Sequence, residues 1–417
     1  MSPKSKNAEI ERQLEVIRSG VEELIPEDEL IRKLERSIAS RKPLRIKQGF
    51  DPTAPDIHLG HTIGLRKLRQ FQELGHQVVL IVGSYTALVG DPSGRSETRP
   101  NLTEDAVLQN AQTYMDQFFK VVDKDRTEVR WNGEWFKTMS FVDVLRLTSR
   151  FTVARILERD DFDIRFKHGE PISVHELLYP LMQAYDSVVI RADVEIGATE
   201  QKFNLLTGRD IQAAYDVEPQ VILTLPVLEG TDGVRRMSKS LGNYIGIAEP
   251  PKEIYGKVMS LPDKLIERYF RLVTDATSAE CDEVARSLRQ AGTNPMTWKK
   301  ALAHRIVRMY HEQAAADFAQ SEFEKQFSRR ELPSDLPTVE VDAGAFRARD
   351  LMMRAFPNTY TGSSAGNLFK QGAVYVNGER LTDVAREIRV GRGSGDQVEV
   401  IIKVGRKIAR VVPKGAG

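Results

Sequence analysis

The sequence predicts an α/β protein built on a doubly wound parallel sheet, followed by an all-helical region and a small α+β module. Three observations support this prediction. Strand and helix patterns alternate over residues 44–224, as they do in parallel sheets with helical crossovers. From Pro250 the apolar spacing becomes helical throughout. After a proline-punctuated linker, a basic tail carries an Asn-Gly turn beside a short apolar run.

The alternating region indicates one mostly parallel sheet. Leu44–Lys47 alternates apolar and basic residues, whereas Val78–Gly83 and Val221–Leu223 are continuous apolar runs, as expected for strands buried on both faces. Helical patterns lie near residues 104–122, 141–158, 173–184 and 200–215. Such sheets bind ligands at the carboxyl ends of their strands, so the site is expected there. No GxGxxG string follows a strand, which argues against a dinucleotide-dependent dehydrogenase.

Composition excludes several other classes of protein. A hydrophobic content of 41% and a charged content of 29% are typical of globular proteins. A single cysteine, Cys281, excludes a disulfide framework and a cysteine-cluster zinc site. No apolar run approaches membrane-spanning length, and the first residues lack the apolar core of a signal peptide. We therefore expect a cytoplasmic protein without a membrane partner.

The first candidate motif is His58-Leu59-Gly60-His61, at a predicted strand–loop–helix junction. The start of a helix presents free N–H groups and positive dipole density, which suit phosphate. His58 and His61 are three residues apart and share a face of the first turn. Gly60 would let a flat group such as a purine approach the backbone. The alternative is a pair of helix-capping or surface histidines.

The second motif, Arg236-Met237-Ser238-Lys239-Ser240, lies in a glycine-flanked segment. Together the two motifs resemble the HIGH-like and KMSKS-like signatures of class I aminoacyl-tRNA synthetases. The resemblance implies a Rossmann-like catalytic domain that uses ATP as a substrate with Mg²⁺, without a tightly bound cofactor or a dedicated metal site. It implies catalytic roles for Thr53, His58, His61, Arg236, Lys239 and Ser240, and ATP contacts from Asp51, Gly60, Glu200 and Lys239.

Two further segments resemble tyrosyl-tRNA synthetases. Gly90-Asp91-Pro92-Ser93-Gly94 follows a predicted strand, and Tyr179, Gln183 and Asp186 share one helix face within a YxxxQAxD string. Those three polar side chains could instead pair with one another in a structural network. The resemblance implies that Asp91, Tyr179 and Gln183 hold the α-amino group of tyrosine. It also implies that Asp186 accepts from the phenolic hydroxyl, that Gln201 contacts the carboxyl region, and that Arg95 and Arg99 are basic residues of a mobile loop.

Three positions depart from the family's pattern. Ala198 stands where glycine is usual, and Glu200 stands where aspartate is usual. Glutamate is one methylene longer, so a ribose contact would need a shifted backbone or a water. Lys47 falls where many members carry a tyrosine that helps to read the phenol. The chain resembles a subgroup that lacks this tyrosine, so Asp186 is expected to work with groups that the sequence does not identify.

Net charge is distributed unevenly along the chain. Residues 343–417 contain 13 Lys/Arg and 6 Asp/Glu, a net charge of +7, so the first 342 residues carry −6. A basic module on an acidic body suggests a nucleic-acid partner, although a solvated basic face is the alternative. The helix pattern ending at Gly372, the strand and the Asn377-Gly378 turn resemble the S4 RNA-binding fold. The predicted domains are N-terminal helices (1–42), a catalytic domain (43–249), a helical domain that lies near the tRNA anticodon in the family (250–330), a linker (331–342) and an S4-like domain (343–417).

The resemblance implies a tyrosine–tRNA ligase activity with tyrosine, ATP and tRNA(Tyr) as partners, and a homodimer. Three alternatives remain at this stage. A tryptophan–tRNA ligase shares the fold and both motifs, and a catalytically inactive RNA-binding paralogue would share the architecture. A generic nucleotidyltransferase with the same phosphate motifs would lack the helical and S4-like regions.

Overall fold

The computed structural model of the chain describes residues 3–52, 56–91, 103–325, 336–391, 397–405 and 407–414. Thr53, Arg95 and Arg99 therefore lie outside the described residues. The chain divides into two units, residues 1–320 and residues 321–417. None of the described helices is long and apolar enough to cross a membrane.

A six-stranded sheet in the order β1-β6-β5-β2-β3-β4 forms the centre of the first unit. All neighbouring strands are parallel except β1 and β6, which pair antiparallel. The chain runs outward from β2 through β3 to β4 and then returns to β5 beside β2, which confirms the doubly wound prediction. This change of direction leaves a ligand crevice at the carboxyl ends of β2 and β5. The strands are β1 (Glu23–Ile25), β2 (Arg45–Phe50), β3 (Gln77–Val82), β4 (Thr127–Trp131), β5 (Val194–Ala198) and β6 (Val221–Leu225).

Burial follows the predicted strand pattern. Val78–Val82 of β3 and Val221–Leu223 of β6 are almost fully buried, as continuous apolar strands covered on both faces should be. Two charged side chains are buried in the same sheet, Lys47 on β2 and Glu195 on β5. The two residues are opposite each other in the strand register. This buried cross-strand pair is the sheet's main departure from an apolar interior.

Helices cover the sheet, and every regular element between Pro250 and Phe323 is helical, as predicted. The helical pattern near residues 141–158 is divided between two helices, because Thr152 caps a new helix by accepting from the backbone N–H of Arg155 at 3.2 Å. The helices of this unit, the last of which ends just beyond it, are α1 (Pro3–Arg18), α2 (Glu27–Ser40), α3 (Leu59–Glu73), α4 (Thr86–Val89), α5 (Glu104–Phe118), α6 (Gly133–Phe136), α7 (Phe141–Thr148), α8 (Val153–Ile156), α9 (Asp160–Lys167), α10 (Tyr179–Ile190), α11 (Lys202–Ala214), α12 (Pro251–Met259), α13 (Ile266–Val273), α14 (Ser278–Arg289) and α15 (Pro295–Phe323).

The second unit is an α+β module with its own apolar core, which includes Leu351, Phe369 and Ile402. Its five-stranded sheet has the order β10-β9-β12-β13-β7, and β11 pairs with β8 separately. The predicted Asn-Gly turn joins β9 to β10, and both turn residues have positive φ angles. Its elements are β7 (Thr338–Val341), β8 (Gly344–Arg347), α16 (Ala348–Ala355), α17 (Gly362–Lys370), β9 (Val374–Val376), β10 (Glu379–Leu381), β11 (Glu387–Val390), β12 (Val400–Val404) and β13 (Lys407–Pro413).

Candidate active site

The HLGH motif lies at the start of α3, close behind the carboxyl end of β2. The backbone N–H of His58 points to Nδ1 of His61 at 3.3 Å, and the two rings stack with centroids 3.7 Å apart. His58 is only 7% exposed, and burial, followed by the charges of His61 and Lys239, lowers its pKa to about 2. The His58 imidazole is therefore neutral at physiological pH and can offer a hydrogen bond without carrying charge.

The segment behind the RMSKS motif pairs with the HLGH motif. The backbone N–H of Leu59 donates to Ile245 at 2.9 Å, and that of Ile247 donates to Ile57 at 3.0 Å. A Cβ atom on Gly60 would lie 3.1 Å from the His58 ring and 3.7 Å from Met237 of the second motif. The two motifs, far apart in the sequence, are therefore neighbours in space, and the charge of Lys239 acts on both histidines. A side chain at position 60 would crowd the His58 ring.

Asn243 holds the RMSKS loop in shape. Its Oδ1 accepts from the backbone N–H of Ser238 at 2.8 Å, and its Nδ2 donates to the carbonyl of Arg236 at 3.0 Å. The hydroxyls of Ser238 and Ser240 lie 2.9 Å apart. These bonds give the loop a defined conformation beside the start of α3.

Two cations of the RMSKS loop reach acidic side chains. Arg236 Nη1 donates to Glu200 at 2.7 Å, so the loop contacts the short turn that follows β5. Lys239 Nζ lies 3.6 Å from Asp56, just before the HLGH motif, and burial lowers the pKa of the lysine. Glu200, a predicted ATP contact, is thus bound by the loop that carries Lys239, the other predicted contact.

Asp91 lies in a ring of four hydrogen-bonded side chains. Gln201 Nε2 donates to one carboxylate oxygen of Asp91 at 2.7 Å, and Arg159 Nη2 donates to the other at 3.4 Å. Asn204 closes the ring, because its Nδ2 donates to Gln201 Oε1 at 3.0 Å and its Oδ1 accepts from Arg159 at 3.2 Å. Asp91 and Gln201, predicted to bind two ends of an amino-acid backbone, are therefore brought together.

Gln183 joins this ring to the interior of the sheet. Its Oε1 accepts from Asn204 at 3.0 Å, and its Nε2 donates to the buried carboxylate of Glu195 at 3.1 Å. One face of α10 thus takes part in the same hydrogen-bonded network as Asp91.

Tyr179 makes a hydrogen bond that the sequence did not predict. Its hydroxyl donates to Asp51, which follows β2, at 2.9 Å, and the other oxygen of Asp51 accepts from Thr86 at 2.7 Å. Asn132 donates to the Thr86 hydroxyl at 3.0 Å. A Cβ atom on Gly83 would collide with Asp51 and Thr86, so the missing side chain makes room for this cluster.

Asp186 is buried at the end of a second set of bonds. Trp135 Nε1 donates to one of its oxygens at 2.9 Å, and Asn132 Nδ2 donates to the other at 3.4 Å. Burial raises the pKa of Asp186 to about 7, against the opposing effects of Lys47 and these two donors. The Asp186 carboxyl group therefore changes charge close to neutral pH.

Several residues of this site lie outside the sequence motifs and were not predicted. Asn132 directly follows β4, and a polar residue just after a parallel strand is a signal that could have identified it. Trp135 and Arg159 have no such signal, because each lies in a short helical segment or loop remote from the motifs. No group of three or more His, Cys, Asp or Glu residues in the described part of the chain is arranged to hold a metal ion.

Comparisons with known proteins agree with this geometry. The family model "tRNA synthetases class I (W and Y)" matches residues 39–328. The chain is 50% identical over 406 residues to the tyrosine–tRNA ligase of Moorella thermoacetica, covering 97% of this chain and 96% of that one. It is also 50% identical over 381 residues to the tyrosine–tRNA ligase of Carboxydothermus hydrogenoformans, covering 90% and 92%.

A solved structure matches the fold. A C-terminally truncated mitochondrial tyrosyl-tRNA synthetase from Aspergillus nidulans superimposes with a TM-score of 0.62 at 21% identity, covering 78% of this chain and 100% of that one. With the family match and relatives of this similarity, the chain belongs to the tyrosyl-tRNA synthetases, within the class I tRNA synthetases.

Proposed function

We infer that this chain is a tyrosine–tRNA ligase, which activates tyrosine with ATP and then transfers the tyrosyl group to the 3′ end of tRNA(Tyr). The observation that carries this conclusion is the proximity of the HLGH and RMSKS motifs beside a crevice with a buried acid, Asp186. The intact pair of motifs argues against an inactive paralogue. The two relatives at 50% identity are tyrosine–tRNA ligases, which favours tyrosine over tryptophan.

Activation needs no protein nucleophile, because the tyrosine carboxylate itself attacks the α-phosphate of ATP. The bond from the α-phosphate to pyrophosphate breaks, and the protein contributes position and positive charge. We assign this charge to Lys239 and Arg236, next to the N-terminus of α3 and its neutral His58. His61, Ser240 and Thr53 are assigned supporting contacts to the phosphates.

ATP is proposed to lie between the two motifs. Gly60 would face the adenine, Asp51 would contact ATP, and Glu200 would reach the ribose. Because Arg236 already holds Glu200 at 2.7 Å, the longer side chain has a partner that can orient it toward the crevice. Mg²⁺ is proposed to arrive bound to the ATP phosphates, and Arg95 and Arg99 keep only the role of basic loop residues that the family resemblance implies.

The tyrosine subsite is proposed to use both networks. Asp91 and Gln183 accept from the ammonium group, Gln201 contacts the carboxyl region, and Asp186 accepts from the phenol. The continuous bonding of Asp91, Gln201 and Gln183 through Asn204 supports a common task for these residues. Tyr179 donates to Asp51, so its oxygen retains a lone pair that can accept from the ammonium group.

The test of this function is ATP–pyrophosphate exchange with tyrosine, tryptophan and phenylalanine supplied in turn. We expect exchange that depends on tyrosine, followed by charging of tRNA(Tyr). Exchange that depends on tryptophan would assign the chain to the other branch of the family. A folded protein without exchange for any of the three amino acids would be an inactive paralogue.

The second unit is proposed to be an S4-like module that binds tRNA. Deleting the residues from Leu336 onward removes this module. It removes β7 together with β13, the strand that β7 pairs with, so no unpaired strand is left behind. We expect tyrosine-dependent exchange to stay nearly intact and charging of tRNA(Tyr) to fall, because the residues of the activation site all precede residue 250. Charging by the full chain should weaken as salt rises, since phosphate contacts release counterions. Full-rate charging by the truncated chain would assign the basic unit another task.

We also propose that the chain forms a homodimer through an apolar surface on residues 141–174. Seven large apolar side chains are exposed within this segment, and exposed apolar side chains in such number favour an interaction surface. They are Phe141, Val142, Leu145, Val153, Ile164, Phe166 and Val174. Light scattering should give twice the chain mass, and Phe141→Asp with Phe166→Asp should reduce the measured mass to that of one chain.

The proposed place of action is the cytoplasm, where charged tRNA is consumed.

A further inference from the structure

Lys47 and Glu195 form an ion pair in the interior of the sheet. Lys47 is 0% exposed and Glu195 is 1% exposed, and Nζ lies 2.8 Å from Oε1. Burying two charges costs more than an apolar pair would, unless the geometry and the extra hydrogen bonds are good. The ion pair must therefore serve a purpose other than holding β2 and β5 together, because the backbone hydrogen bonds between the two strands already do so.

Lys47 uses all of its donors inside the protein. Besides Glu195, its ammonium group donates to the backbone carbonyl of Gln183 at 2.8 Å and to the hydroxyl of Ser187 at 2.7 Å. A lysine ammonium has three N–H groups, and three partners are present. Lys47 therefore holds α10 in place and has no donor left for a phenol, although it stands where many relatives have a tyrosine.

Glu195 determines which way the Gln183 amide faces. A carboxylate only accepts, and Glu195 receives Gln183 Nε2 together with Lys47 on one oxygen. Its other oxygen receives Ser187 and Gln220. Because Gln183 must present its nitrogen to Glu195, its oxygen is directed to the other side, where Asn204 donates to it at 3.0 Å.

The far end of the network requires the same orientation. Arg159 only donates, so Asn204 faces it with its oxygen and presents its nitrogen to Gln183 and Gln201. Gln201 then presents its own nitrogen to Asp91, which only accepts. The assignment of each amide thus follows from ionised groups at both ends of the network.

We propose that the buried Lys47–Glu195 pair positions the amino-acid subsite, by keeping the side-chain oxygen of Gln183 directed at the ammonium group of the bound amino acid. The inference rests on the proposed function, in which Gln183 binds that group. An ammonium group only donates, so it gains from a carbonyl oxygen and is repelled by an amide N–H. Without Glu195 the Gln183 nitrogen loses its acceptor, and the one bond from Asn204 holds the amide less firmly, so the amide presents the wrong atom for part of the time.

The test replaces both charges at once, in Lys47→Met with Glu195→Met, so that no unpaired charge is left in the sheet. Binding is measured for tyrosine, for tyramine, which keeps the ammonium group, and for 3-(4-hydroxyphenyl)propionate, which lacks it. We expect roughly 10- to 100-fold weaker binding of tyrosine and tyramine, the range for a hydrogen bond to a charged group. Binding of the propionate should stay the same. In exchange kinetics KM for tyrosine should rise, while kcat and KM for ATP change little.

A matched control removes another buried ion pair. Arg165 and Glu176 are 4% and 3% exposed and lie 2.7 Å apart, and Glu176 also accepts from the backbone N–H of Ser173. Arg165→Met with Glu176→Met should leave the affinity for tyrosine unchanged whatever it does to stability. If the first double variant does not fold, Lys47→Met with Glu195→Gln keeps the volume and a polar group. The amide introduced by Glu195→Gln can face Gln183 with its oxygen or its nitrogen, and we expect tyrosine to bind at least about threefold more weakly.

The outcomes separate this inference from the proposed function. An unmutated chain without tyrosine-dependent exchange would overturn the function and, with it, the inference. If the unmutated chain is active but a folded double variant binds tyrosine normally, only the positioning role fails. Equal losses for tyramine and the propionate would also overturn it, because they would show that the whole pocket had been disturbed.

Discussion

Replacing Lys239 with alanine is expected to slow formation of tyrosyl-adenylate by about 100-fold or more, while the affinity for tyrosine changes little. The Lys239 ammonium lies beside the HLGH motif, and its charge contributes to the lowered pKa of the neutral His58. A cation in this position stabilises the negative charge that builds up on the departing pyrophosphate. Losing such a contact reduces the rate more than ground-state binding.

The measurement is single-turnover adenylate formation together with equilibrium binding of tyrosine. Lys264→Ala is a suitable control, because Lys264 is an exposed lysine of the same unit and lies outside the RMSKS loop. His58→Ala and His61→Ala should also slow the reaction, with the smaller effect at exposed His61, where water can substitute. An unchanged rate in Lys239→Ala would remove the RMSKS motif from the mechanism.

Replacing Asp186 with asparagine or alanine is expected to lower kcat/KM for tyrosine by roughly 100-fold. The ratio of kcat/KM for tyrosine to that for phenylalanine should therefore fall. A phenol gives the buried carboxylate a donor, whereas phenylalanine leaves it facing an apolar ring. Tyrosyl-tRNA synthetases are the known example of this rejection, at about 10⁵ without editing. Trp135 and Asn132 hold the two oxygens of Asp186, so the acceptor is oriented before the substrate arrives.

Gln183→Ala provides the contrast, because Gln183 is assigned to the ammonium group that both amino acids share. It should reduce kcat/KM for tyrosine and phenylalanine by the same factor. Exchange kinetics with both amino acids in both variants decide the question. If the Asp186 variants lose the same factor in kcat/KM for tyrosine and phenylalanine, the phenolic hydroxyl is recognised by other residues. Lys47 would not be the first choice, since its three donors are already used.

The raised pKa of Asp186 predicts a pH dependence of its own. The folded state holds this proton up to about pH 7, whereas the unfolded chain releases it near its ordinary value of 3.8. Stability contributed by the protonated form is therefore lost as pH rises toward and through 7. Asp186→Asn should increase the free energy of unfolding, relative to the unmutated chain, more at pH 8 than at pH 5. Denaturant unfolding at the two pH values measures this, and an equal difference at both would contradict the shift.

Much of the fold follows from local pattern. The alternation of Leu44–Lys47, the apolar runs of β3 and β6, and the Asn-Gly turn of the second unit predict elements that the structure contains. These patterns report on neighbours along the chain, where side-chain periodicity and turn geometry act directly. Near residues 141–158, where the apolar pattern predicts one helix, a threonine cap begins a second helix instead.

The sequence by itself determined the fold class and singled out the HLGH and RMSKS motifs, with Asp91, Gln183 and Asp186 as candidate site residues. Only the tertiary structure decided their partners. Asp186 is held by Trp135 and Asn132, more than fifty positions away, and Lys47 meets Glu195 because β2 and β5 are neighbours in the sheet. The physical reason is that burial makes each polar group depend on a partner brought close by strand order, and strand order is not a property of any local window of sequence.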